Sequence, residues 1–166
     1  RRRDGAESGL YDRAAHQRGA GVAFKLACAL IGEEAYKYLD FAALATVADS
    51  VPLLGENRDI VTEGLKLINA RPRSCFSALL GKAAEGVTAQ NLAFTIAPRI
   101  NAAGRMGDAR AAFNLFVSED ENEILNLAAQ LCAYNTERQK CCDELYASAK
   151  EKLKKKGAYG YVIMLS

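Results

Sequence analysis

The sequence predicts a mainly α-helical fold, and three observations carry that reading. Thirty of the 166 residues are alanine, the best helix former, against three prolines. Apolar residues recur at three- and four-residue spacings along most of the chain. Residues 119–156 contain neither glycine nor proline, enough for one helix of roughly 55 Å at about 1.5 Å per residue.

The elements follow in order. Residues 1–18 are polar, with five arginines among Asp4, Glu7 and Asp12 and no apolar stripe, and read as an irregular arm. From Gly19, residues Val22, Ala23, Leu26, Ala27 and Leu30 describe one helix face, and Gly32 ends it. Residues 33–51 form a second helical stretch. Its later half, Phe41 to Ala48, is apolar on nearly all sides and so is expected to be buried on all sides. Pro52 disfavours helix at Val51 and stops it. Residues 56–69 make a third helix, with Ile60, Val61, Leu65 and Ile68 on one face, and 74–82 a short fourth. Thr88 suits the N-cap of a fifth, with Leu92 and Ile96 inward, and Pro98 is expected to end or kink it. Residues 98–108 read as a shaped loop holding one turn of helix. Asp108 suits the cap of a sixth helix reaching Phe116.

In the long helix, Ile124, Leu127, Leu131, Tyr134, Arg138, Cys141 and Leu145 alternate three- and four-residue steps, one seam with a polar interruption at Arg138. Lysines at 150, 152 and 154–156 suit the negative end of its dipole, and Gly157 its stop. Residues 159–165 read as a buried strand with no sheet to join. That orphan strand and the absence of an initiating Met suggest a segment cut from a longer protein.

Composition bounds the function. Half the residues are hydrophobic and a quarter charged, which excludes wholesale disorder. No apolar run reaches the ~18 to 20 residues of a helical membrane span. A net charge of +2 is too small to argue for nucleic acid by itself. One histidine excludes a site needing several histidine ligands from this chain. Cys28, Cys75, Cys132, Cys141 and Cys142 form no CxxC pair. Their odd number argues against a secreted disulfide framework and for a reducing cytoplasm.

Two places carry chemistry. Asp49 ends an apolar helix just before Pro52, and a carboxylate there suits a hard cation such as Mg²⁺ or Mn²⁺. The alternative is a carboxylate bonded to the next loop amides or paired with Arg58. In 98–108, Arg99 and Arg105 flank Asn101, with Gly104 leaving room for close approach. Planar guanidinium forks bind phosphate, so the segment suits a phosphate or nucleic-acid backbone. An ordinary interhelix loop with salt-bridged arginines fits equally. His16 reads as a solvated side chain of the arm.

Three segments resemble one known family. Leu44-Ala45-Thr46-Val47-Ala48-Asp49-Ser50-Val51-Pro52-Leu53, with Gly55-Glu56-Asn57-Arg58 after it, is similar to the fourth motif of the DHH phosphoesterases. Ala97-Pro98-Arg99-Ile100-Asn101-Ala102-Ala103-Gly104-Arg105-Met106-Gly107-Asp108-Ala109 resembles a signature of the RecJ branch of that family, and Gly19 to Leu26 the helix after its Asp-His-His motif. The resemblance covers roughly residues 19–166. It implies a 5′→3′ exonuclease acting on single-stranded DNA in repair and recombination, using two Mn²⁺ or Mg²⁺ ions to activate water and stabilise the leaving oxygen. It implies that Asp49 is a metal ligand and that Arg99, Asn101 and Arg105 hold a phosphate of the strand. Residues 19–118 would be the C-terminal helical part of a DHH-type α/β domain, 119–156 its connector, and 157–166 the first strand of a second domain. A single-stranded-DNA-binding protein and a repair helicase are the implied partners.

The family's Asp-rich and Asp-His-His motifs, and a Gly-Gly-His-type motif, are absent from this sequence. With one expected ligand present, the chain alone is expected to be inactive. The other readings are a DHH phosphoesterase acting on oligonucleotides, cyclic dinucleotides or pyrophosphate, a non-catalytic DHH-derived scaffold, or a helical module that dimerises through 124–145.

Overall fold

The computed structural model describes residues 19–81, 86–106 and 108–156, with only the backbone at Lys155 and Lys156. The arm at 1–18, His16 and the expected strand at 159–165 lie outside the described residues. Helix α1 spans Gly19–Ile31, and Gly32 leaves it at a φ of +61° that favours glycine. A 3₁₀ segment, Gly32–Tyr38, leads into α2, Leu39–Ala48. Helices α3 (Glu56–Ala70) and α4 (Ser74–Leu80) follow. A single turn, α5 (Ala89–Asn91), runs into a π turn at Leu92–Ile96 and on into α6, Ala97–Arg105. Then come α7 (Ala109–Val117) and α8, the 36-residue helix Glu121–Lys156. The described residues contain no strand, as a mainly α fold requires.

The stretch 33–51 is not one continuous helix. An uninterrupted α-helix would join the Phe41 N–H to the Lys37 carbonyl. Here the Phe41 N–H donates to Asp40 Oδ1 at 2.8 Å, and the Lys37 carbonyl accepts from Arg73 Nη2. Asp40 is 2% exposed, and its Oδ2 accepts from Arg73 Nε at 2.5 Å. The Arg73 guanidinium also lies over the ring of Phe41, 4.7 Å from the centroid.

The first eight residues of 98–108 are helix rather than loop. Thr88 caps α5 in a capping box with Asn91, as its type suggests. The chain then stays helical through Pro98 to Arg105. Pro98 has no N–H to return to the previous turn, and its ring crowds an α-helical carbonyl four residues back. The preceding turn is widened: the Ala97 N–H reaches the Leu92 carbonyl, five residues back. Pro98 therefore sits in the first turn of a new helix, where its missing donor costs nothing.

The larger core joins α2, α3, α4, the π turn, α6, α7 and the first half of α8. Phe76, Leu79, Leu92, Ile96, Leu115 and Leu131 are fully buried in it. Phe41 bridges its aromatic part, stacked on Phe76 and edge-on to Phe116. The seam of α8 is buried at Ile124 and Leu131 but open at Cys141 and Leu145. The helix thus docks by its first half, and its second half projects. A smaller cluster, Leu39, Ala42, Ala43 and Ile60, seals α2 on α3. There Gly64 meets α2 so closely that a Cβ would lie 2.6 Å from the Leu39 carbonyl oxygen and overlap the Ala43 Cβ.

Two outcomes follow. Gly64→Ala should destabilise by about 1–3 kcal/mol in urea unfolding, since overpacking against backbone outweighs alanine's better helix propensity. Gly104→Ala, in an equally helical position with open space around it, should not destabilise. The second outcome concerns thiols. Burial pushes the Cys75 thiol up from its ordinary value, whereas Cys141 and Cys142 are exposed. A disulfide reagent at mildly alkaline pH should label Cys141 and Cys142 at once and Cys75 only on unfolding.

Candidate phosphate-binding site

Two hollows meet where α2 ends against α6. Ala48, Ala97 and Asn101 line both. The first, about 330 Å³, has Asp49 at its edge and Phe41, Leu44 and Phe116 in its walls. The second, about 310 Å³, carries Asn101, Arg105 and Arg138 over a floor of Ala48, Ala93, Ala97 and Pro98.

Asp49 caps the C-terminus of α2 and is exposed. Its N–H returns to Ala45, and the chain reverses at Ser50, which holds a left-handed φ of +52°. The carboxylate therefore sits at the negative end of a helix, an electronegative corner that favours a cation. Among the described residues no ion pair joins Asp49 to Arg58 or to any other cation. Nor do the described residues bring three His, Cys, Asp or Glu side chains together in a metal-holding cluster. Hard cations take six or more oxygens, so one carboxylate does not make a site for two of them.

The structure treats Arg99, Asn101 and Arg105 differently. Residues four apart on a helix share a face, so Asn101 and Arg105 both face the second hollow. Both are exposed, and among the described residues no carboxylate pairs with Arg105. Arg99 lies about 200° round the helix from Asn101. Its Nη1 donates to the Leu79 carbonyl, tying α6 to the end of α4. Arg99 is thereby a positioning group in this structure, apart from the hollow. Gly104 has nothing within 4 Å of where a Cβ would stand.

Asp108 does more than cap. Its Oδ1 accepts from the Ala111 N–H at the start of α7, while Oδ2 accepts from Gln130 Nε2 and the Tyr134 hydroxyl, both at 3.3 Å. Gln130 and Tyr134 belong to α8, so this carboxylate fastens the long helix beside α6. One turn beyond Tyr134, Arg138 reaches the hollow. Its seam position read as a polar interruption. That mismatch of type and place was the only signal for it in the sequence.

A hollow lined by two arginines and an asparagine, with a carboxylate at the neighbouring rim, offers donors whose chemistry suits a phosphate ester. Comparison with known proteins narrows that chemistry. The chain is 41% identical over 142 residues to the single-stranded-DNA-specific exonuclease RecJ of Bacillus subtilis, covering 84% of this chain and 18% of that protein. It is 44% identical over 128 residues to RecJ of Thermus thermophilus, covering 73% of this chain and 19% of that one. The crystal structure of Thermus thermophilus RecJ in complex with Mn²⁺ superposes with a TM-score of 0.64 at 37% identity, over 68% of this chain and 17% of that one. A manganese-bound exonuclease RecJ gives 0.62 at 36% identity, over 68% of this chain and 29% of the other. No protein-family model matches the chain. Over the stretch compared, the chain is RecJ-like in both sequence and fold. It spans under a fifth of the length of the first two relatives.

Proposed function

We propose that this chain is a segment of a metal-dependent exonuclease that hydrolyses phosphodiester bonds in single-stranded DNA from the 5′ end, in repair and recombination. The observation that carries the reading is the junction of the two hollows at Asn101, with Asp49 on one side and Arg105 on the other. Asn101 and Arg105 hold a phosphate of the strand. Asp49 supplies one ligand to a Mn²⁺ or Mg²⁺ site, in keeping with relatives solved with those ions. The remaining ligands come from outside the described residues, so the segment by itself does not cut DNA. Helix α8 connects the helical body to a second domain. A cytoplasmic setting, a single-stranded-DNA-binding protein and a repair helicase complete the reading. None of the described helices is long and apolar enough to cross a membrane.

Fluorescence anisotropy of a labelled single-stranded oligonucleotide, titrated at several salt concentrations, tests the phosphate site. Binding should weaken with salt at a slope of about −0.7 per phosphate neutralised, and Arg105→Ala should reduce both affinity and slope. Binding indifferent to Arg105, or none, would remove the reading. In the longer protein that restores the relatives' full length, Asp49→Asn should lower Mn²⁺-dependent hydrolysis by on the order of 100-fold or more, with DNA affinity retained. Undiminished hydrolysis would show that Asp49 is no ligand.

A further inference from the structure

We infer that α8 carries a second seam, one residue on from the seam that packs on the body, and that its occupant is a second copy of this chain lying antiparallel. The inference is independent of the phosphate reading. The packed seam is taken up by the chain's own core at Ile124 and Leu131. Beside it a second stripe runs in seven-residue steps from Leu125 through Cys132, Gln139 and Tyr146 to Leu153. That spacing keeps side chains on one line along a helix that winds round another. Leu125 is 59% exposed and Tyr146 70%, and the other three are open to solvent at least in part. The stripe has the form of a helix-packing face, and it is uncovered.

Charge makes the occupant this chain itself and sets its direction. Glu119, Asp120, Glu121 and Glu123 crowd the start of α8, where among the described residues no ion pair engages them. The far end of the same helix carries exposed lysines at 150, 152 and 154. Two copies side by side and parallel would set like charges together. Antiparallel, each acidic end lies against a lysine end.

Length sets the register. The docked half of α8, Glu121 to Glu137, and the projecting half, Arg138 to Lys156, run about 25 and about 28 Å. The free half of each copy therefore spans the docked half of the other, about a two-fold axis near Glu137. With the axis there, the stripe and the steps between its residues match in kind. Leu125 meets Ala149, and Tyr146 meets the alanines at 128 and 129, large against small. Asn135 meets Gln139, amide against amide, and Cys132 meets Cys142, thiol against thiol. Cys141, one position aside, points away from the pair by about 100°.

Sedimentation equilibrium of the unmodified chain at micromolar concentrations should show monomer in exchange with dimer. Leu125→Glu and Tyr146→Glu change side chains that are exposed in the single copy, so both should keep the helix content by circular dichroism. Each should nonetheless weaken the dimer about ten-fold or more, since an unpaired carboxylate is then buried in the seam. Leu30→Glu, on α1 at a position 74% exposed, should leave the dimer unchanged. Oxidation with dithiodipyridine reads the register: two thiols close one disulfide while the reagent is reduced to two thiopyridones. Covalent dimer should form in the unmodified chain and in Cys141→Ser, and fail in both Cys132→Ser and Cys142→Ser. Covalent dimer persisting in each of those last two would mean that like residues meet, a parallel pair, and would overturn the inference. Dependence on Cys141 would move the contact to another face and overturn it as well. So would a monomer at every concentration, or dispersal by Leu30→Glu as readily as by Leu125→Glu, which would make the association a general property of exposed apolar surface.

Discussion

The body is organised around one ion pair, the buried Asp40 with the half-buried Arg73. Asp40 stands at the beginning of α2, and Arg73 in the short link between α3 and α4. A carboxylate 2% exposed is tolerable only with its charge answered, and here an arginine and a backbone N–H answer it. The same arginine takes the carbonyl of Lys37 and lies over Phe41. Those contacts start α2 where it starts and hold Phe41 in place. Phe41 in turn stacks on Phe76, meets Phe116, and forms part of the wall beside Asp49. From guanidinium to ring to hollow, the order of the site is inherited from a pair whose two members stand on either side of Asp49 in the chain.

A second constraint sets the other wall. Helix α6 exists because the π turn before it absorbs Pro98, and α8 lies beside it because Asp108 bonds two residues of α8 while capping α7. The site is therefore assembled from helix ends and helix faces. Asp49 sits beside the left-handed Ser50, while Asn101, Arg105 and Arg138 project from regular helix.

Much of this was legible in the sequence because it is local. Thr88 and Asp108 as caps, Gly32 as a stop, and Leu92 and Ile96 as inward residues all follow from chemistry within a few positions. What escaped depends on partners far along the chain. The break at Tyr38 needs Arg73, thirty-five positions later. The role of Gly64 rests on the Leu39 carbonyl that lies against it, twenty-five positions earlier. Proline at 98 normally argues for an end to helix, and nothing in the local pattern announces a π turn that absorbs it. Of the site, Asp49, Asn101 and Arg105 were visible by type and motif. Arg99 has the same chemistry on another face of α6, where it bonds the Leu79 carbonyl, and Arg138 is brought in only by tertiary packing of α8.

The projecting half of α8 has a mechanical consequence. From Arg138 to Lys156 the helix extends about 27 Å with most of its side chains in solvent. Such a rod is stiff over that distance, and a pivot placed where it leaves the packed core would lie beside the hollow. A tilt of about 5° at the pivot would swing the far end by about 2 Å, by simple geometry from the rise per residue. A displacement too small to notice among the arginines is thus enlarged into one that a body on the far end would register. The stem works as a pointer whose needle is longer than its bearing.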